Sequence, residues 1–326
     1  MEDLGRFSPP TDWTFNTFTN NQDKFIRYGH VKPKTKSKGT VVMTTGYADF
    51  IESYYETIHD YLDRGYEVYM MDWQGQGGSE RYNTDKPWLP NPKGFVQNVD
   101  DLKQFVDEVV KPNRKKPVFL NTHSMGGHVA LHYLHKHQND FDGAILAAPF
   151  IDVHMGPVKK KLVQSFATVM KKLGFGDHRM PGRDRVVKRI KKLREIALKD
   201  APMRKQIHKI YAEKNPNLKI GDPTYSWLTH SFNAAAKLNK ENYLKKITTP
   251  LLIVGAQKDG MVNNAYARRA VVTVPNAKYV EIEGAYHDLW TERETMRAKL
   301  WSHVDKFLKE RHQYPDKKSI PYVPKL

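Results

Sequence analysis

Residues 121–127 read NTHSMGG, and this stretch joins an apolar run to a segment with helical character. The run VFL at 118–120 leads into it, and HVALHYLHKH at 128–137 leads out of it. A serine at such a junction is either a nucleophile on a sharp strand-to-helix turn or a hydroxyl that caps the helix. The spacing around Ser124 nearly matches G-x-S-x-G, but Thr122 stands where the first glycine belongs. This stretch alone leaves the two interpretations balanced.

Strand-like and helical patterns alternate on both sides of this stretch. Residues 14–31 alternate in polarity, as an opening hairpin does, and the short apolar runs elsewhere are typical of buried strands. This alternation predicts a mostly parallel central sheet covered by helices on both faces, which is the α/β class. The predicted strands occupy 39–46, 66–73, 117–122, 143–150, 250–257 and 277–284, and the predicted helices occupy 53–65, 95–110, 128–137, 263–273 and 291–311.

The segment 151–241 differs from the rest of the chain in composition. Residues 151–240 hold 21 Lys and Arg against 7 Asp and Glu, so this segment carries most of the net charge of +17. It has no strand-like run. In 185–200 apolar residues recur at helical spacing, and basic residues, Arg194 among them, fill the rest. We therefore expect a basic helical cap, or lid, inserted between two halves of one α/β core formed by 1–150 and 242–326.

The absence of cysteine limits the chemistry available to the chain. With 326 residues and no cysteine, it has no disulfide, zinc–thiolate site or cysteine nucleophile. The first residues lack the basic and apolar regions of a secretory signal, and no apolar run approaches the ~18 residues of a spanning helix. These features predict a cytoplasmic protein. If it contacts a membrane, we expect peripheral binding at the inner face.

A serine hydroxyl becomes an effective nucleophile when a base removes its proton and a third group orients that base. Asp259 and His287 each follow a predicted strand, at the end where ligands bind in parallel sheets. Taken alone, Asp259 is also consistent with a solvated Asp-Gly turn. The chain has 14 histidines, so His287 alone is also consistent with a structural role. Their order along the chain after Ser124 favours a triad of Ser124, Asp259 and His287.

Acyl transfer also needs N–H donors for the developing oxyanion. The stretch TTGYAD at 44–49 ends an early strand and offers the backbone N–H of Tyr47, although a plain strand-to-helix turn would have the same pattern. The N–H of Met125, directly after the candidate nucleophile, is the second predicted donor. His123 precedes Ser124 along the strand and is expected to point away from it, so it is not the predicted base.

Several motifs together resemble the α/β-hydrolase superfamily, and within it the bacterial lysophospholipase and monoacylglycerol lipase branch. They cover roughly 40–310 and include NTHSMGGHVAL, LLIVGAQKDGMV and EGAYHDLW. The resemblance implies Ser124, Asp259 and His287 as catalytic residues and a mobile helical cap over an acyl pocket. The stretch DWQGQGGS at 72–79 matches the family's Asp-x-x-Gly-x-Gly-x-Ser turn, which is expected to support the site.

The resemblance also extends into the cap. The stretch GDPTYSWLTHSF at 221–232 is similar to a segment of bacterial lysophospholipases, and Tyr225, Trp227 and His123 are candidate substrate-binding residues. Two positions depart from the family pattern. Thr122 replaces the first glycine of the nucleophile turn, and Thr45 replaces the histidine that often precedes the oxyanion-loop glycine. Neither change removes a catalytic atom, so we expect them to affect the rate and the shape of the pocket.

The ordered site predicts a serine ester hydrolase that acts on lysophospholipids or monoacylglycerols through an acyl-enzyme on Ser124, without a metal or organic cofactor. Short-chain carboxylesterase, thioesterase, polyester-oligomer hydrolase and peptidase activities share this chemistry and stay open as alternatives. Outside the enzyme class, the alternatives are a non-catalytic binding protein on the hydrolase scaffold and a membrane-surface scaffold.

The basic cap allows three interpretations. The basic surface is interpreted as the solvated outer face of a lid, or as a face that docks on anionic membrane lipid. The third interpretation is that its positive charge attracts an anionic substrate to the site. Nucleic-acid binding is not expected, because no recognised module is present and the basic residues are not interleaved with stacking aromatics. The expected partner is a small acyl ester of the lipid type, and the sequence predicts no particular oligomeric state.

Overall fold

An eight-stranded sheet forms the centre of the molecule in this computed structural model, which describes residues 4–91, 93–181, 183–240 and 242–313. Its strands are β1 (Thr14–Thr19), β2 (Phe25–Val31), β3 (Gly39–Thr44), β4 (Tyr66–Met71), β5 (Val118–His123), β6 (Gly143–Ala147), β7 (Leu251–Ala256) and β8 (Ala277–Ile282). In space they follow the order β1-β2-β4-β3-β5-β6-β7-β8. The β1–β2 hairpin and the β2–β4 pair are antiparallel, and the pairs from β4 to β8 are parallel.

Helices connect the parallel strands. They are α1 (Tyr55–Asp63), α2 (Val96–Gln104), α3 (Met125–Lys136), α4 (Pro157–Met170), α5 (Arg183–Ala197), α6 (Pro202–Lys214), α7 (Tyr225–Leu238), α8 (Asn264–Thr273) and α9 (Glu294–Gln313). Short 3₁₀ turns occur at Gly5–Phe7, Ile51–Tyr54, Pro216–Leu218, Leu244–Lys246 and Leu289–Thr291. Within the described residues, no helix combines the length and the apolar character that crossing a membrane requires.

The two faces of the sheet carry separate apolar cores. Along β3, Val42 points to the face covered by α2 and α3, whereas Val41 and Met43 point to the face covered by α1 and α9. Successive side chains of a strand alternate between faces, so an unbroken apolar run is buried on both sides. The sequence expectation of helices on both faces of a mostly parallel sheet is confirmed.

The bounds of several predicted elements differ from the observed ones, and two examples show why. The helix expected over 95–110 is α-helical as far as Gln104 and continues as a π-helical turn at Phe105–Val110. The strand expected over 39–46 ends at Thr44, because Thr45 and Gly46 already belong to the loop that turns toward α1. In both cases the sequence pattern predicted the correct type of element, but local hydrogen bonding determines where the element ends.

Four helices, α4 to α7, lie between β6 and β7 along the chain, where the sequence predicts the basic cap. Hydrogen bonds connect these helices to the core. Arg204 of α6 donates to both carboxylate oxygens of Glu56 at 2.8 and 2.7 Å, and His208 Nε2 lies 3.1 Å from the carbonyl oxygen of Ala48. The division into 1–150, 151–241 and 242–326 stays a prediction.

Candidate active site

Ser124 occupies a strained turn between β5 and α3. Its backbone has φ 49° and ψ −111°, a region that residues with a side chain rarely adopt. Hydrogen bonds hold it there: its N–H donates to the carbonyl of Ala147 at 3.0 Å, and its carbonyl accepts from the N–H of Phe150 at 2.9 Å. The Ser124 side chain makes no capping hydrogen bond to α3. The helix-cap interpretation therefore does not describe this hydroxyl.

Gly126 and Gly127 allow α3 to begin directly beside the sheet. A Cβ on Gly126 would lie 2.7 Å from Thr44 Oγ1 and 2.7 Å from the carbonyl oxygen of Thr45. A Cβ on Gly127 would lie 2.7 Å from Cβ of Pro149. Each distance is well inside van der Waals contact, so a side chain at either position would push the helix away from the strands.

Thr122, which replaces the first glycine of the family turn, is buried in β5. Its hydroxyl donates to the carbonyl of Ile145 on β6 at 3.4 Å. The same Oγ1 lies 3.4 Å from where a Cβ of Gly127 would be. The β-branched side chain is thus accommodated within the sheet, and its hydroxyl has a partner on the neighbouring strand.

His287 connects the other two candidate residues. Its Nε2 lies 2.9 Å from Ser124 Oγ, and its Nδ1 lies 2.7 Å from Asp259 Oδ2. The second carboxylate oxygen, Asp259 Oδ1, accepts the backbone N–H groups of Met261 at 2.8 Å and Val262 at 2.9 Å. Because a carboxylate can only accept, Nδ1 carries the proton and Nε2 presents its lone pair toward the hydroxyl.

The charges around His287 shift its pKa and that of Asp259 in opposite directions. Burial alone would lower the pKa of His287, but the charge and hydrogen bond of Asp259 outweigh it and raise the pKa above the ordinary value. Asp288 and Asp49 contribute to the same rise. Burial would raise the pKa of Asp259, yet the charge of His287 and the hydrogen bonds it accepts lower it. The pair thus favours a carboxylate beside an imidazole that accepts a proton readily.

A glutamine that the sequence analysis did not single out holds the loop at 44–49. Gln76 Nε2 donates to the carbonyl of Gly46 at 3.1 Å, and Gln76 Oε1 accepts the N–H of Ala48 at 3.0 Å. Tyr47 lies between these two contacts, and Ala48 has a positive φ of 59°. Gln76 belongs to the stretch 72–79, whose turn motif predicted support for the site but did not indicate which side chain provides it.

A cavity of about 250 Å³ opens at Ser124. Residues of the loop at 44–49, of helices α5 and α6, and of the segment after His287 line it. They include Gly46, Tyr47, Ala48, Asp49, Tyr54, His123, Ser124, Arg194, Ile207, His208, Met261, His287, Asp288, Trp290 and Thr291. The cavity is large enough for a small polar group next to the hydroxyl, and its walls carry the carboxylates of Asp49 and Asp288 and the guanidinium of Arg194.

His123 does not point away as expected but lines the same cavity as Ser124. The expectation was wrong because β5 ends at His123, and the strained turn at Ser124 breaks the strand alternation. His123 Nε2 donates to the carbonyl of His287 at 3.1 Å, and the two imidazole centroids are 5.1 Å apart. Its Nδ1 lies 3.2 Å from the hydroxyl of Tyr54. His123 thus contacts the backbone of His287 through one nitrogen and a tyrosine through the other.

The two cap candidates lie behind the cavity rather than in its wall. Trp227 packs against Tyr47 with ring centroids 4.7 Å apart, and Tyr225 packs edge-on against Phe166 at 5.8 Å. Neither Tyr225 nor Trp227 is among the residues that line the cavity at Ser124. The Tyr47 hydroxyl donates to the carbonyl of Gly221 at 2.8 Å, which ties the oxyanion loop to the cap segment.

Among the described residues, His123, His287 and Asp288 have ligand atoms within 4.8 Å of one another, the spacing of a metal site. Both ring nitrogens of His287 are already engaged by Ser124 and Asp259. Both nitrogens of His123 also have partners. A metal ion bound by these residues would have to displace the hydrogen bonds of the histidine ring nitrogens. The arrangement is therefore better suited to proton transfer than to metal binding.

Residues 35–294 match the family Hydrolase_4, described as serine aminopeptidase, S33. The protein named "Probable lysophospholipase L2" in Haemophilus influenzae is 27% identical over 285 residues, which span 87% of this chain and 88% of that protein. Lysophospholipase L2 of Escherichia coli is 27% identical over 312 residues, which span 91% of this chain and 88% of that protein.

Solved structures share the architecture. A soluble variant of the Saccharomyces cerevisiae monoglyceride lipase, in complex with a substrate analogue, has a TM-score of 0.69 at 19% identity and covers 93% of this chain and 97% of that one. Together with the family match, this likeness confirms the predicted α/β-hydrolase fold. Since the matched residues span most of the sequence, the chain belongs to the Hydrolase_4 family, described as serine aminopeptidase, S33.

Proposed function

We propose that this protein is a serine ester hydrolase that acts on lysophospholipids or monoacylglycerols through an acyl-enzyme on Ser124. The observation that carries the proposal is the position of His287, which hydrogen-bonds Ser124 Oγ with one nitrogen and Asp259 with the other. The names of the relatives, lysophospholipase L2 and monoglyceride lipase, support a lipid ester as the substrate.

The proposed reaction begins when Ser124 Oγ attacks the ester carbonyl and passes its proton to His287 Nε2. Asp259 keeps the imidazole in the required tautomer and stabilises the imidazolium that forms. The backbone N–H groups of Tyr47 and Met125 bind the oxyanion of the tetrahedral intermediate. His287 then protonates the departing alcohol. Water, deprotonated by the same nitrogen, releases the fatty acid from Ser124.

The strain at Ser124 supports this role. A non-glycine residue with positive φ costs on the order of 1–3 kcal/mol, which the surrounding hydrogen bonds must offset. Such a cost is typical of nucleophile turns, where the geometry lifts the hydroxyl out of the sheet edge toward the substrate. A helix cap needs no such strain, because cap residues adopt ordinary extended backbone.

The test is a hydrolysis panel with a lysophospholipid, a monoacylglycerol, graded-chain aryl esters, an acyl thioester and an aminoacyl anilide. The anilide is included because the family is described as a serine aminopeptidase. We expect the highest kcat/KM on the long-chain glycerol esters, and loss of turnover on every substrate in Ser124→Ala. Preference for the anilide, or turnover that survives in Ser124→Ala, would contradict the proposal.

The cap has a row of exposed apolar side chains, which indicates a surface that binds a partner. On α4 and the π-helical turn at Lys171–Phe175, five large apolar residues recur at 4-4-3-4 spacing, which places them on one side of the helix, and a sixth, Phe175, follows two residues later. Their exposed fractions lie between 44% and 74%. We call these residues the apolar cap face: Val158, Leu162, Phe166, Val169, Leu173 and Phe175.

Lysines border the apolar cap face on both sides. Lys159 lies next to one edge of the row, and Lys161 and Lys172 lie next to the other, all three exposed. An apolar row flanked by cations is the pattern of helices that lie in the interface of anionic membranes. We therefore infer that the cap contacts an anionic membrane surface, which would bring the cavity at Ser124 close to lipid esters. The alternative, a cap that is only a solvated outer face, predicts no dependence on lipid charge.

A further inference from the structure

One cationic side chain of the cap reaches the cavity at Ser124. Arg194 of α5 lines this cavity together with Ser124 and His287. It also lines a smaller adjoining cavity, where Met261 and Asp288 are again part of the wall. Among the described residues that line the cavity at Ser124, Arg194 is the one with a permanent positive charge.

The guanidinium of Arg194 is only loosely paired. Its nearest carboxylate oxygen is Asp288 Oδ2, at 3.6 Å from Nε, beyond hydrogen-bond distance. Nε is buried and has no hydrogen-bond partner among the described residues. The side chain as a whole is 35% exposed. The charged group is thus partly withdrawn from water, and its Nε donor has no partner among the described residues.

Two neighbouring arginines, Arg204 and Arg297, have carboxylate oxygens within hydrogen-bond distance, although Nε of Arg297, like that of Arg194, has no partner among the described residues. Arg204 donates through Nε and Nη2 to both oxygens of Glu56, at 2.8 and 2.7 Å. Arg297 forms ion pairs with Glu56 and Asp60. A buried structural arginine needs such partners, because an unpaired charge is costly to desolvate. The one carboxylate paired with Arg194 lies beyond hydrogen-bond distance, so this guanidinium is held less tightly than the other two and can bind a ligand.

The ligand must be a compact anion within reach of the ester carbonyl. A guanidinium presents a planar fork of N–H donors that matches phosphate and carboxylate oxygens. In a lysophospholipid one glycerol unit separates the acyl ester from a phosphodiester, whereas in a monoacylglycerol a neutral hydroxyl takes the place of the phosphate. Ser124 and Arg194 line the same cavity, so a substrate bound there can contact both residues.

We propose that Arg194 binds the phosphodiester of a lysophospholipid and thereby determines preference for phosphate-bearing esters over monoacylglycerols. This inference rests on the proposed ester hydrolase function and specifies its substrate. Asp288 holds Arg194 near the cavity when no substrate is bound and yields it to the phosphate, since the 3.6 Å contact is weaker than a hydrogen-bonded pair. The basic cap then contributes one specific contact in addition to its general charge.

The test compares three esters with the same acyl chain in detergent micelles of fixed composition. They are lysophosphatidylcholine, lysophosphatidylglycerol and monoacylglycerol. The quantity measured is the ratio of kcat/KM for each lysophospholipid to kcat/KM for monoacylglycerol. We expect Arg194→Gln to lower both ratios roughly tenfold or more, and Arg194→Lys to restore part of the loss by keeping the charge without the fork.

Arg189→Gln is the matched control, because Arg189 is an exposed arginine on the same helix that lines neither cavity. Unchanged ratios in Arg194→Gln would overturn the inference. It would also fall if Arg189→Gln lowered the ratios equally, or if only the choline ester responded. In each of these outcomes the wild-type protein still hydrolyses the esters, so only the inference about Arg194 fails and the proposed function stands. If the wild type hydrolysed none of the three, the proposed function itself would be wrong, and the inference with it.

Discussion

Asp259 and His287 form a buried pair in which Oδ2 and Nδ1 are 2.7 Å apart. The other carboxylate oxygen is held by two backbone N–H groups, so the side chain of Asp259 has little freedom to turn. The carboxylate therefore fixes the tautomer of His287 and favours its protonation. Both effects have consequences for the pH dependence of the reaction.

In the proposed mechanism His287 must be neutral to accept the proton of Ser124. Asp259 raises the pKa of His287 above the ordinary value, so activity should fall as pH decreases through this raised pKa. In Asp259→Asn the raising charge is lost, and we expect the acid limb of the kcat/KM profile to move to lower pH. The same change should lower kcat by roughly 10³-fold or more, because the amide favours the wrong tautomer. An acid limb that stays in place in Asp259→Asn would contradict this assignment.

Gln76 should matter for rate more than for binding. It brackets the loop that carries the N–H of Tyr47, and loss of an oxyanion donor costs about 10²–10³ in kcat. Gln76→Ala leaves the N–H of Tyr47 in place but removes the hydrogen bonds that hold its loop. We therefore expect kcat to fall about 10- to 100-fold, with KM little changed. Gln74→Ala is the control, because Gln74 is buried in the same turn but bonds Asn20 instead. Equal losses of kcat in both variants would indicate general damage to the turn.

Gly126 is a test of the close packing at the start of α3. In Gly126→Ala the new Cβ would meet the carbonyl oxygen of Thr45 at 2.7 Å, and backbone cannot yield cheaply. We expect the free energy of unfolding to fall by about 1–3 kcal/mol, measured by urea denaturation. Gly156→Ala is the control, since a Cβ there meets nothing within 4 Å and its φ is negative. Equal stability of the two variants would refute the packing argument.

The apolar cap face should set the affinity for anionic vesicles. The double variant Leu162→Ser/Phe166→Ser removes two exposed apolar side chains, and each contributes up to about 1.5–3 kcal/mol when fully withdrawn from water. We expect vesicle partitioning to fall tenfold or more in co-sedimentation with phosphatidylglycerol-containing vesicles. Val272→Ser, which removes an 89% exposed side chain from α8, should leave partitioning unchanged. Binding that ignores the anionic lipid content would exclude this docking mode.

The sequence was most informative where local patterns decide structure. The β-branched and apolar runs predicted the strands of the parallel sheet, because burial on both faces leaves little room for polar residues. Ser124, Asp259 and His287 follow β5, β7 and β8, and this order was enough to nominate them, because the carboxyl ends of parallel strands meet at one edge of the sheet.

Other features depend on contacts between distant segments, which periodicity does not encode. The direction of His123 follows from the strain at Ser124, and the role of Gln76 depends on a loop 30 residues away in sequence. Arg194 has the same helical spacing as the solvated basic residues around it. Only the packing of α5 over the core brings that side chain into the cavity.

The most direct test of the central claim is labelling with a fluorophosphonate probe, followed by peptide mass mapping. The account predicts one covalent adduct on Ser124, loss of esterase activity in step with labelling, and neither labelling nor turnover in Ser124→Ala. His287→Ala should label far more slowly, because no base then activates the hydroxyl. An adduct on another residue, or full esterase activity in Ser124→Ala, would contradict the account.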